Sequence, residues 1–161
     1  MEHINKFHLG DFTEEMAKKV CNWSYDPPYD VYNWPNWEVL QKEGEDIIKQ
    51  DKREAEFSAL LNSSGEFFGF VQFDSMSGNK LRIKLGIKPQ LTGKGIGKYF
   101  LRLVIAEARK RSPKGIIDLE VLTWNERAIK VYKKSSFEIV ETYKRQTPTG
   151  EAEFHRMELV K

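Results

Sequence analysis

The stretch QLTGKGIGKYF, Gln90 to Phe100, sets Gly93, Gly95 and Gly97 at alternate positions between a strand-like run and an apolar helical one. A turn of this kind leaves main-chain N–H groups facing outward at the positive end of a helix dipole, which makes a site for an anion, phosphate above all. Lys94 and Lys98 add charge to it. The nucleotide loops do not fit. A P-loop requires a glycine at Thr92 and a Ser or Thr at Tyr99, and the dinucleotide fingerprint requires a glycine at Lys98. Other chemistry-bearing groups are sparse. Cys21 lies in a helical pattern beside Val20 and Trp23 and reads as a packing residue, and His3, His8 and His155 have no paired ligand spacing, so no metal is expected. In WSYDPPYDVYNW, the rings of Tyr25, Tyr29, Tyr32 and Trp34 are stiffened by Pro27 and Pro28. They suit either a binding wall with Asp26 or Asp30 attracting a cation, or a plain cover for a sheet.

The elements that must hold these residues follow from periodicity. With 161 residues and 40% hydrophobic content, one domain spanning 1–161 is expected, and 26 basic against 24 acidic side chains give no reason to expect nucleic acid as partner. Neither a leader-like stretch nor a run long enough to span a bilayer is present, so a cytoplasmic protein away from membranes is expected. Met16, Ala17, Val20 and Trp23 predict a helix from Thr13 to Trp23, capped by Thr13, and a second helix is expected from about Asn36 or Trp37 to about Lys49, with Gly44 inside it. EAEFSALL, EFFGFVQF and LRIKLGI read as an antiparallel meander; IGKYFLRLVIAEARKR reads as a helix ending before Pro113. GIIDLEV is a further strand, NERAIKVYKKS a helix, and FEIVETYK with EAEFHRMELV a closing hairpin. The expected fold is α/β in the order ααβββαβαββ.

Gln90, Gly93 and Gly95 after LRIKLGI spell Q-x-x-G-x-G, and DLEVLTWNERAIKVYKKSSFEIV adds Asn125, Ala128, Tyr132 and Phe137 in a strand–helix–strand segment. On these two segments the chain resembles the GNAT superfamily of N-acetyltransferases over roughly Glu54 to the C-terminus. It departs at Ser135-Ser136-Phe137, where the family usually has a glycine before the Phe. The resemblance implies a GNAT-like, mixed but mostly antiparallel central sheet flanked by helices. It also implies direct transfer of an acetyl group from acetyl-CoA to a primary amine, the acceptor being a small molecule or a protein N-terminus. A non-catalytic acyl-CoA sensor of the same fold is the alternative, and a homodimer is left open. By the same resemblance, Gln90, Gly93, Lys94, Gly95, Ile96, Gly97 and Lys98 hold the diphosphate, and Leu85, Gly86 and Ile87 run beside the pantetheine arm. Asn125 caps a helix, contacts that arm, or both. Tyr132 is the expected general acid for the departing thiol. Glu120 stands in an LEV context twelve residues before Tyr132, as in the ribosomal-protein alanine N-acetyltransferases, whose base sits there. It is either that base, which needs a pKa raised toward neutrality, or a carboxylate on a solvated strand face; a water relay is the rival base. Tyr25, Tyr29 and Tyr32 fall in the loop that usually walls the acceptor site.

Overall fold

Residues 6–92, 94–147 and 149–160 are described in a computed structural model of the chain. Thr13 opens helix α1 (Glu14–Val20) by accepting the Met16 N–H on its hydroxyl at 3.2 Å, and Ala17 and Val20 turn into the core. Asn36 does the same for α2 (Trp37–Glu43), its side chain accepting from Val39 at 3.0 Å. The second helix is shorter than its sequence suggested. Gly44 does not sit inside it but ends it, taking φ +69° and donating its N–H to the Leu40 carbonyl at 3.0 Å, a left-handed cap that a side chain would strain.

Two elements add to the expected order. The four-residue strand β1 (Phe7–Gly10) is too short to show alternation. Helix α3 (Gln50–Glu56) takes in Glu54 to Glu56, which the strand-like run EAEFSALL had claimed. It carries no apolar stripe. Arg53 is its buried residue, donating to the Ile47 carbonyl at 2.9 Å, while Gln50–Glu54 and Lys52–Glu56 pair at 3.0 Å along the surface. There follow β2 (Phe57–Asn62), β3 (Phe67–Met76), β4 (Lys80–Ile87), α4 (Ile96–Arg111), β5 (Ile116–Leu122), α5 (Glu126–Lys134), β6 (Phe137–Thr147) and β7 (Gly150–Leu159). The seven strands form one sheet in the order β1-β2-β3-β4-β5-β7-β6. The pairing of β4 with β5 is parallel; β1 with β2, β2 with β3, β5 with β7 and β6 with β7 are antiparallel. The chain is thus α/β with a mixed, mostly antiparallel sheet. None of the described helices is long and apolar enough to cross a membrane.

The chain divides into two compact units, one running up to Gln72 and adding Leu85–Thr92, the other holding Phe73–Lys84 and the chain beyond Thr92. The first has a core of Phe12, Ala17, Val20, Leu40, Ile47, Phe57, Ala59 and Phe70, against which Cys21 and Trp34 pack; burial pushes the Cys21 thiol pKa up, which suits a packing residue. In the second, Ile117, Leu119 and Val121 of β5, Phe100, Leu101 and Val104 of α4, and Met157 of β7 are buried.

The other face of β5 is not apolar. Asp118 is 0% exposed and receives Arg82 Nε at 2.7 Å, Arg82 Nη2 at 3.0 Å and Arg156 Nη1 at 2.9 Å. A carboxylate taken out of water needs such donors, and removing one partner of a buried pair costs about 3–5 kcal/mol. Arg82→Ala should therefore lower the unfolding free energy by about 3 kcal/mol. Urea denaturation measures it; a loss below about 1 kcal/mol, the worth of an exposed pair, would show that Asp118 is answered well enough by Arg156.

Candidate active site

In the first unit the end of β4 meets the aromatic loop. Tyr25 donates its hydroxyl to the Ile87 carbonyl at 2.6 Å, and its main-chain N–H goes to Asn33 Oδ1 at 2.8 Å. Burial pushes the Tyr25 phenol up to about 12, so it keeps its proton and this bond through neutral pH. A 3-10 turn over Tyr29–Tyr32 brings Tyr32 edge-on to Tyr25, with ring centroids 6.5 Å apart. Two predicted regions, the loop and Leu85–Ile87, are therefore in contact through Tyr25. Trp34 turns the other way and packs on Phe70, centroids 5.9 Å apart, so it belongs to the core. Gly86 is where a backbone must be approached closely, and the ring of Phe70 makes that approach: a Cβ on Gly86 would stand 2.7 Å from Phe70 Cε1.

Gln90, in a short 3-10 turn at Pro89–Leu91, is exposed, and Thr92 closes that turn by donating its hydroxyl to the Pro89 carbonyl at 2.9 Å. Gly93 lies outside the described residues. In the second unit, Gly95 takes φ +80° and leads straight into α4, a 16-residue helix with no side-chain cap at its N-terminus and no acid in its first turn. The first-turn N–H groups at Ile96, Gly97 and Lys98 lack an intrahelical acceptor by construction. Lys94 and Lys98 are exposed beside them, the Lys98 ammonium 5.1 Å over the Tyr99 ring. This donor set fits a diphosphate.

Asn125 caps α5, its side chain accepting the Ala128 N–H at 3.2 Å, and it is itself buried. Seven residues on, Tyr132 is half-buried with its ring edge-on to Phe137, centroids 6.1 Å apart. After α5 the chain turns through Ser136 at φ +75°, so the position where a glycine was expected does take glycine's conformation, at a steric cost a serine must bear.

Glu120 is on neither a solvated face nor a site that raises its pKa. Tyr143 donates its hydroxyl to Oε2 at 2.6 Å, Arg145 donates Nε to Oε2 at 3.2 Å and Nη2 to Oε1 at 3.0 Å, and Arg82 Nη1 stands 3.5 Å from Oε1. Burial alone would push the carboxyl up, but the Tyr143 and Arg145 hydrogen bonds and the Arg145 and Arg82 charges outweigh it, and the pKa falls below the ordinary value. That is the reverse of the shift required of a base near pH 7. Tyr143 is pushed the other way, to about 12, by burial and by the bond to Glu120. Sequence reasoning missed Arg82, Tyr143, Arg145 and Arg156. Their only signal is register: Arg82 opposite Asp118, Glu120 opposite Arg156, and Tyr143 opposite Phe154 share one sheet face.

The sequence profile of the acetyltransferase (GNAT) family matches residues 17–137. None of the curated protein sequences compared matches the chain. Among solved structures, the fold is similar to the spermidine/spermine N-acetyltransferase of Vibrio cholerae with manganese ions, with a TM-score of 0.73 and 14% identity over 98% of this chain and 94% of that one. A chimera of the Vibrio cholerae spermidine N-acetyltransferase with hSSAT is similar to the same degree, TM-score 0.73 and 14% identity over 96% and 95% of the two chains. Identity this low speaks to the fold alone.

The packing of Gly86 gives a direct test. Phe70 is held by Phe12, Trp23 and Trp34 at centroid distances of 5.8, 6.1 and 5.9 Å, so it has little room to yield to a new methyl. Gly86→Ala should destabilise by about 1–3 kcal/mol through overpacking, and adding Phe70→Leu should recover part of the loss. Chemical denaturation of the single and double variants checks this; additive losses would mean that the ring is not what excludes the side chain.

Proposed function

Because the chain belongs to the GNAT family of acetyltransferases, we propose that it moves the acetyl group of acetyl-CoA to a primary amine by direct transfer, donor and acceptor being bound together. The observation that carries this reading is the start of α4: a left-handed Gly95, no side-chain cap, no acid in the first turn, and two lysines alongside. Acetyl-CoA supplies the acetyl group as a thioester, which reacts with a neutral amine.

The N–H groups from Gly95 to Lys98 bind the diphosphate, with Gln90, Gly93 and Lys94 completing the loop. The main chain at Leu85, Gly86 and Ile87 orients the pantetheine arm, and Asn125 keeps α5 in register for it. Tyr132 holds a proton at its phenol oxygen and gives it to the departing sulfur, since a thiolate is a poor leaving group unless it is protonated or otherwise stabilised. Tyr25, Tyr29 and Tyr32 wall the acceptor. With its carboxyl held low by Tyr143 and Arg145, Glu120 is a poor base, so we assign removal of the amine proton to a water relay along main-chain carbonyls.

Tyr132→Phe tests the acid assignment. It should lower kcat by roughly tenfold or more while leaving the dissociation constant for coenzyme A within about twofold, because the lost hydroxyl acts only as the sulfur departs. Steady-state kinetics with calorimetric binding measures both. An unaltered rate removes Tyr132 from the chemistry; a lost rate accompanied by lost affinity makes it a binding residue.

A further inference from the structure

The guanidinium of Arg145 sits in a place built for a cation. It donates twice to Glu120, at 3.2 and 3.0 Å, and lies 4.1 Å over the ring of Phe154. Tyr143 fixes the carboxylate from the other side at 2.6 Å. Carboxylate, aromatic floor and an orienting hydroxyl are the parts of a site for an alkylammonium or guanidinium group. The three arginines of this face differ in how they are held. Arg82 and Arg156 have side chains 12% and 11% exposed and are committed to the buried Asp118, whereas Arg145 is 45% exposed and makes its ion pair with Glu120. Arg145 can leave without stranding Asp118. Its departure leaves two guanidinium groups against the four carboxylates of Asp118, Glu120, Glu141 and Glu158, an excess of negative charge on this face of the sheet.

Resting on the acetyl-transfer reading, we propose that Glu120, Tyr143 and Phe154 form a subsite for a second cationic group on the acceptor, distinct from the amine that is acetylated, and that Arg145 occupies this subsite until such an acceptor displaces it. The acceptor class is then a primary amine carrying a further ammonium or guanidinium. A tethered competitor lowers the apparent affinity of a ligand by the fraction of time for which it holds the site. The fork of two hydrogen bonds holds Arg145 on Glu120, while the 45% exposure of its side chain leaves it open to exchange with a cation from solution.

The test uses agmatine, a primary amine with a guanidinium, and butylamine, which lacks one. Arg145→Ala should raise the preference for agmatine over butylamine, read as the ratio of their kcat/KM values, by about fivefold or more, since only the former gains from the vacated subsite. An unchanged or lowered preference overturns the proposal. Calorimetry without acetyl-CoA separates this outcome from failure of the acetyl-transfer reading. Agmatine should bind Arg145→Ala more tightly than the wild type and lose that gain in the Arg145→Ala/Glu120→Gln protein. That binding pattern with no acetylation of either amine keeps the subsite and sinks the activity. Acetylation of both amines with agmatine binding indifferent to Arg145 sinks the subsite and keeps the activity.

Discussion

A carboxylate with no access to water has to be answered by positive charge, and Asp118 is answered by two arginines. Arg82 comes from the parallel neighbour β4, where Arg82–Asp118 is the third and last pair of a short ladder; Arg156 comes from the antiparallel neighbour β7. Ion pairs of this kind contribute little net stability compared with an apolar core, yet breaking one is costly. Three main-chain pairs make a weak parallel ladder. The ionic clasp at its end holds β4 against β5 where the pairing stops, while β5 runs on through Glu120 to Leu122.

From that clasp the polar face of the second unit develops outward. Arg156 also pairs with Glu141 and Glu158, so β6 and β7 present fixed charges on the same side as Glu120. Glu120 sits one step along β5 from the clasp, close enough to feel Arg82 and exposed enough to take Arg145 and Tyr143. Its low pKa is therefore a consequence of belonging to the network. In the first unit the organising force is apolar instead. Phe70, packed among Phe12, Trp23 and Trp34, presses on β4 at Gly86, and one residue later the Ile87 carbonyl is held by Tyr25.

What was legible in the sequence was local. Thr13 as a cap, the glycine turn before α4, and Asn125 opening α5 each depend on residues within a few positions of one another, and the structure bears out each of those local geometries. Gly44 was seen as a weak point but not as an end, because the choice between a tolerated glycine and a left-handed cap depends on whether the following residues have an apolar face to bury. Helix α3 stayed hidden for a related reason: QDKREAE is held by i,i+4 pairs and one buried arginine, which hydrophobic periodicity does not register. The charge network was illegible because it joins residues 82, 118, 120, 145 and 156, whose meeting follows only from strand order and register. Ser136 shows the opposite limit: the missing glycine pointed to a different turn before Phe137, yet the backbone keeps a left-handed conformation there.

The proposed anchor for the donor's diphosphate is the set of N–H groups opening α4. Backbone amide chemical shifts in an NMR titration with coenzyme A measure this most directly. The amides of Gly95, Ile96 and Gly97 should move together and saturate at one stoichiometric equivalent. Saturating shifts elsewhere in the chain, with these three amides unmoved, would contradict it.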